Sequence, residues 1–343
     1  MLDVFNTDAF NMVSLTTALN KLPHVPMRIG QMNLFTPKGI TTRTPVIEER
    51  HGRLSLLQTK APGTHDQVWR SNDRTAKAFN VPYIPLDAEV KASDVAGVRA
   101  FGSETVLETV AGKVNDVLQE ARNSFEATWE FHRVKSLHGQ LVDGDGSTVL
   151  YNWFTTFGVT ETVVAFNFDN ANLPITDKAL AVHRAIEDAL GGTLFTGVHA
   201  ICGNDFFDAF IKHPMVKDAW DRWQDGAFLR TVNRPLGGSG GGFNMFDITW
   251  ENYRGAIGGT KFVADNECRF FPTGVSNLFE VYYAPADWTE TVNTTGRPLY
   301  AKQERKKWDE GIDLHMQSNP LHICTRPACL IKGEMGEGSS SAS

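Results

Sequence analysis

The stretch TPVIEERHGRLSLL, residues 44–57, sets short apolar runs among charges and reads as a β-ribbon folded about His51-Gly52, with Glu48, Glu49, Arg50 and Arg53 crowded at the turn. Two strands alone are marginally stable in water, and Ile47, Leu54 and Leu56 with their few apolar neighbours are too few to form a core. The ribbon therefore needs a surface that the adjoining sequence does not supply. On its N-terminal side, residues 1–45 hold one short apolar run, FNMVSLTTAL, followed by Pro23, Pro26, Pro37 and Pro45 among threonines, which favours an extended arm. On its C-terminal side, QTKAPGTHDQVWRSNDRTAKAFNVPYIPLDAEV is polar, proline-marked and without helical period, so it reads as the returning limb of an excursion from the domain body. Two such excursions in the first hundred residues are unusual for a monomer.

From Ser103 the pattern changes. Leu107, Val110, Val114, Val117, Leu118, Ala121, Phe125, Trp129 and His132 fall on one helical face, while Glu108, Asp116, Glu120, Glu126 and Glu130 fall mostly elsewhere. Ser103 suits the N-cap and Gly139 the stop, which predicts a helix of roughly 35 residues, about 50 Å long. Next, QLVDGDGSTVLYNWF reads as strand, Gly-rich turn and strand, continued by a strand in VTETVVAFNF. TDKALAVHRAIEDALGG, with Thr176 or Asp177 as cap, and NDFFDAFIKHP read as helices, and Trp220, Trp223 and Phe228 as core. FNMFDITWENYRGAIGG, CRFFPTG and LFEVYYAPAD favour strands. Helices and strands mix without the alternation of a doubly wound sheet, so the fold class is α+β.

The chain has 343 residues, 41% hydrophobic and 21% charged, which is ample for a sizeable core. A formal charge of −7 argues against a protein whose main work is coating nucleic acid, because neutralising phosphate needs clustered lysine and arginine. MLDVFNTDAFNMVSL carries Asp3 and Asp8 where an export signal would be positive, and no window has the length of a membrane span. Four cysteines, Cys202, Cys268, Cys324 and Cys329, are sparse and suggest reduced thiols.

GGSGG at 237–241 fits the G-x-S-x-G pattern with Ser239 in the nucleophile's place, so a soluble serine hydrolase is the rival reading. An elbow needs a strand before it and a helix after it, whereas Pro235 precedes this one and a strand-like aromatic run follows. The same glycines lack a phosphate loop's lysine and hydroxyl, since Phe243 and Asn244 stand there. Asp143 and Asp145 suggest a calcium loop, but Ser147, Thr148 and Phe154 break the EF-hand pattern, and an Asp/Gly turn is the better reading. His322, Cys324 and Cys329 form only a loose metal pattern without a second pair. No catalytic residue, metal or cofactor is assigned.

The series LTTALNKLPHVPMRIGQMNLFTPKGITTRTPVIEERHGRLSLL, the body, and the late QSNPLHICTRPACLIK together resemble the lambda E-type major capsid proteins of tailed bacteriophages, over about residues 1–333. The resemblance implies the Hong Kong 97-type capsid fold: an N-terminal arm (1–45), an extended hairpin loop (46–100), a peripheral domain with a long spine helix (101–170, rejoined at 291–333) and an axial domain (171–290), before a flexible tail (334–343). It implies a structural protein of the virion that self-assembles as hexamers and pentamers into an icosahedral head around double-stranded DNA, assembled in the host cytoplasm. Expected partners are other copies of the chain, a separate scaffolding protein, a portal protein, a decoration protein as a further candidate, and packaged DNA through non-specific contacts. On that expectation the ribbon rests on a neighbouring subunit. The contact candidates are Ile47, Glu48, Glu49, Arg50, Arg53, Leu54, Leu56, Trp69, Arg28 and Phe35.

Overall fold

The computed structural model describes residues 12–22, 27–50, 74–96, 109–170, 172–218, 243–257 and 259–336. Within them one long helix, Val110–Leu137, runs between sheets of opposite character. Thr109 caps it, its hydroxyl accepting from the Gly112 amide at 3.0 Å, so the described helix begins here rather than at Ser103, which lies outside the described residues. Its 28 residues span about 42 Å. Gly139 stops it at φ +75°, and a β-carbon there would collide with the Phe154 ring, so only glycine serves. Val114, Leu118, Ala121, Phe125 and Trp129 are buried as their spacing predicts. Arg122, Glu126 and Glu130 are buried too, which corrects the expectation that the helix's carboxylates point elsewhere. The helix is covered on two sides, so its inward face is wider than its apolar stripe.

A six-stranded mixed sheet runs in the order Thr162–Ala165, Ile331–Glu334, Glu267–Thr273, Gly197–Cys202, Ile248–Asn252, Phe243–Met245. Its central strands are buried along almost their whole length, with Val198, Ala200, Phe270 and Trp250 in the same core as the helices Ile175–Leu190 and Asn204–Lys212, while His199, Arg269 and Glu251 are buried as polar groups. The first of these starts on Pro174 without a side-chain cap rather than on Thr176 or Asp177, and ends on left-handed Gly191. A three-stranded antiparallel sheet, Tyr300–Arg305, Gly311–Ser318 and Ile84–Lys91, packs on the other side of the long helix. Ile84–Lys91 shows strict alternation, with Val90 buried and Asp87 and Glu89 outward. A third sheet sets Thr36–Gly39 parallel to Phe279–Tyr283, which pairs with Pro320–Cys324.

Two expectations change. The N-terminal segment is not extended throughout: Met12–Lys21 is a helix whose Leu15 and Leu19 enter the core between the long helix and the three-stranded sheet. A fully buried leucine contributes roughly 2 kcal/mol, so this segment is held by its own chain. The strand Val46–Arg50 pairs with Arg74–Ala78, Val46 opposite Ala78 and Arg50 opposite Arg74, not with residues just beyond His51-Gly52. His-Gly lacks the left-handed preference of the Asn-Gly pairs that close two-residue hairpins.

Candidate functional site

The groups that fasten the N-terminal segment to the body form a connected, largely buried polar constellation. It begins with the spacing of Arg122, Glu126, Glu130 and Arg133, which puts all four on one side of the long helix. Arg122 and Glu126 pair at 3.5 Å, and Arg133 lies 3.8 Å from Glu126 and 3.6 Å from Glu130. The long helix then uses this ladder to grip two helix ends of opposite polarity. Arg122 donates to the Leu19 carbonyl at 2.9 Å, near the negative end of the N-terminal helix. Glu130, fully buried, accepts from the amides of Ile29 and Gly30 at 2.6 and 3.0 Å, at the positive end of the short helical turn Arg28–Gln31.

Tyr253 completes the Glu130 cage, donating its hydroxyl to the carboxylate at 3.0 Å. Burial and the adjacent Glu130 charge push its phenol far above the ordinary range, so it stays a donor. Arg28 turns the other way and meets Glu251 with two parallel bonds, Nε to Oε1 at 2.6 Å and Nη2 to Oε2 at 2.8 Å. Glu251 also bonds His199 Nε2 at 3.0 Å, across the neighbouring strand. Burial opposes ionisation of Glu251, but the bonds from His199 and Arg28 outweigh it and hold its carboxyl below the usual range. The Glu251 hydrogen bond in turn raises the Arg28 guanidinium. Both carboxylates are engaged by donors, so the arrangement works as a clamp between arm, helix and sheet rather than as a general base.

A second buried feature lies where the long helix crosses Pro320–Cys324. The rings of His132 and His322 stand edge to face at 5.7 Å, and no ring nitrogen of either has a hydrogen-bond partner among the described residues. Burial pushes His132 down to about 4 and His322 well below its ordinary value, so both are neutral at neutral pH.

Of the expected contact residues, Arg28 lies in the clamp, and Phe35 packs on Phe279 and His322 at ring distances of 5.3 and 5.5 Å. Both are engaged by their own chain. Ile47, Glu48, Glu49 and Arg50 lie on the strand Val46–Arg50, their side chains outside the described residues. Arg53, Leu54, Leu56 and Trp69 lie outside the described residues altogether, as do Ser239 with its GGSGG run and Trp220, Trp223 and Phe228. Asp145 is tied into its turn by the Ser147 and Thr148 amides, both at 2.8 Å. His322 faces aromatic rings, while burial and a hydrogen bond with Cys329 raise the Cys324 thiol, and the Cys329 thiol donates to the Arg326 carbonyl at 2.9 Å. Cys202 and Cys268 are opposite one another on paired strands, their sulfurs 3.0 Å apart. Glu251 and Tyr253 were not singled out by sequence, and Glu130 was expected only to lie off the apolar face. The available signal was the four-residue recurrence Arg122, Glu126, Glu130 beside the apolar stripe.

The family model described as Phage major capsid protein E matches residues 11–335. The chain is 28% identical over 344 residues to the major capsid protein of Pseudomonas phage KPP10, covering 95% of this chain and 97% of that one. It is 26% identical over 351 residues to the major capsid protein of Salmonella phage Felix O1, covering 94% and 95%. Among solved structures, a capsid protein of an E. coli CFT073 prophage superposes with a TM-score of 0.54 at 13% identity, covering 95% of this chain and 99% of that one. The capsid of an empty GTA particle gives 0.50 at 10% identity, covering 92% and 91%. At these identities the structures speak for the fold.

Proposed function

Because the chain belongs to the phage major capsid protein E family, the shell proteins of tailed phages, with the Hong Kong 97-type α+β fold, we propose that its copies close into an icosahedral head of hexamers and pentamers around double-stranded DNA. The observation that carries this reading is the family match over residues 11–335, nearly the whole chain. The physical argument is the ribbon Val46–Arg50/Arg74–Ala78. Two strands without a core of their own gain stability when laid on a neighbour, and in a closed shell that modest contact recurs at every equivalent position. The arm's described residues 12–22 and 27–39 are held by their own chain, so the ribbon, with Ile47, Glu48, Glu49, Arg50, Arg53, Leu54, Leu56 and Trp69, is the proposed reach between subunits.

On this reading the peripheral domain is residues 101–170 with 291–333 and the axial domain 171–290. The protein works by packing rather than by catalysis. A scaffolding protein and a portal guide assembly in the host cytoplasm, a decoration protein is a further candidate partner, and DNA is met through non-specific contacts. Co-expression with scaffold and portal, followed by sedimentation and electron microscopy, tests it. Closed shells are expected, and persistent monomers under those conditions would overturn it.

A further inference from the structure

We propose that Trp308 is an inter-subunit anchor whose indole inserts into another copy of this chain. The inference rests on the shell reading and deepens it. Trp308 is 83% exposed, an indole left in water by a chain that buries Trp129, Trp153 and Trp250. It sits at the tip of the connection between Tyr300–Arg305 and Gly311–Ser318. There Trp308 (φ 72°, ψ 15°) and Asp309 (φ 55°) are consecutive non-glycine residues in left-handed conformation. That geometry is costly for a bulky side chain and persists only where its surroundings impose it.

The surroundings are rigid. The Lys306 amide donates to the Gly311 carbonyl at 2.9 Å, the Asp309 amide to the Lys306 carbonyl at 3.1 Å, and the Ala92 amide to the Glu310 carbonyl at 3.0 Å. Lys306 forms ion pairs with Glu89 and, at 3.3 Å, with Asp313, fixing the tip to both neighbouring strands. The backbone that carries the indole is thus fixed, and Lys307 Nζ lies 5.9 Å from the ring centroid; an aromatic on a fixed backbone loses less freedom when it docks, which is the character of an interface hot spot.

The charge around it selects the partner. Arg305, Lys306 and Lys307 are met by Asp309, Glu310, Glu89 and Asp313, so the tip carries no excess of positive charge, whereas a phosphate-binding tip would be basic. A neutral rim round an apolar anchor suits a protein surface, and in a shell the surface presented in the greatest number is another copy of this chain.

The test places a benzophenone amino acid at position 308 in the full-length chain, co-expressed with scaffold and portal, with irradiation of the purified shells. Covalent dimers of the chain are expected from shells and none from dispersed protein. In parallel, Trp308→Ala is expected to lower shell yield roughly tenfold, with Trp308→Phe restoring part of it and the circular dichroism of dispersed protein unchanged. If the wild-type chain forms shells but Trp308→Ala matches its yield and its resistance to guanidinium, or if position 308 cross-links to DNA or to a different protein, the anchor role is refuted. Wild-type chains that form no shells would instead refute the shell reading on which it rests.

Discussion

Replacing His132 with phenylalanine should make the protein less sensitive to mild acid. In the fold, burial holds the imidazole near 4 against an ordinary 6.5, with Asp143 favouring the charged form and Arg133 disfavouring it. The unfolded chain therefore takes up a proton through the ordinary value while the folded chain does not until about 4. Stability falls as pH drops through that window, by about 2 kcal/mol between about pH 7 and pH 5 and by roughly 3 kcal/mol below the folded value. His322 and His138 are shifted the same way, chiefly by burial, and add to the loss. The carboxylates answer in a lower window. Burial opposes ionisation of Glu267, but His138 and Arg269 hold it at about 2, so its share is lost only as pH falls below the ordinary carboxylate range. A comparison of about pH 7 with about pH 5 thus isolates the histidines. His132→Phe removes two unpartnered ring nitrogens and leaves an apolar ring beside Phe131 and His322. Urea unfolding of dispersed protein should show the wild type losing about 2 kcal/mol more than the variant over this interval. An equal loss in both would show that His132 is protonated in the folded state and sink the argument.

Glu130→Ala should cost roughly 3–5 kcal/mol, because it strands Tyr253 and two amides of the arm in the interior and leaves Arg133 poorly compensated. Faster tryptic cleavage after Arg28 would report the released arm. Glu48→Lys with Glu49→Lys should leave dispersed protein folded by circular dichroism yet lower shell yield or salt tolerance, since like charges would recur at every equivalent contact; unchanged yield across a salt series would count against that ribbon contact. Ser239→Ala should assemble as the wild type does, and labelling of Ser239 by an active-site-directed phosphonate with loss of hydrolysis in the variant would restore the hydrolase reading.

Local pattern made part of this protein legible. The period of Val114, Leu118, Ala121, Phe125 and Trp129 specifies a long helix, because nothing else puts those side chains on one face, and Gly139 marks its stop. Aromatic-rich apolar runs likewise revealed Glu267–Thr273 and Phe279–Tyr283 as strands. The ribbon's scarcity of apolar side chains could also be read directly, since it depends on composition alone. Its strand partner could not. Arg74–Ala78 is short, polar and undistinguished, and only the completed fold sets it beside Val46–Arg50. Thr109 was not foreseen as the cap of the described helix for a related reason, since the role depends on its hydroxyl meeting the free Gly112 amide.

The clamp marks the division most clearly. The sequence by itself determined that Glu126 and Glu130 follow Arg122 at helical spacing, and so that they share a side of the helix. Whether that side faced water or protein was a tertiary matter. A carboxylate is buried only where donors replace its water, and for Glu130 those donors are the amides of Ile29 and Gly30 and the hydroxyl of Tyr253, each about a hundred residues away along the chain. Periodicity is a property of neighbours in sequence; satisfaction of a buried charge is a property of neighbours in space, and only the assembled fold supplies them.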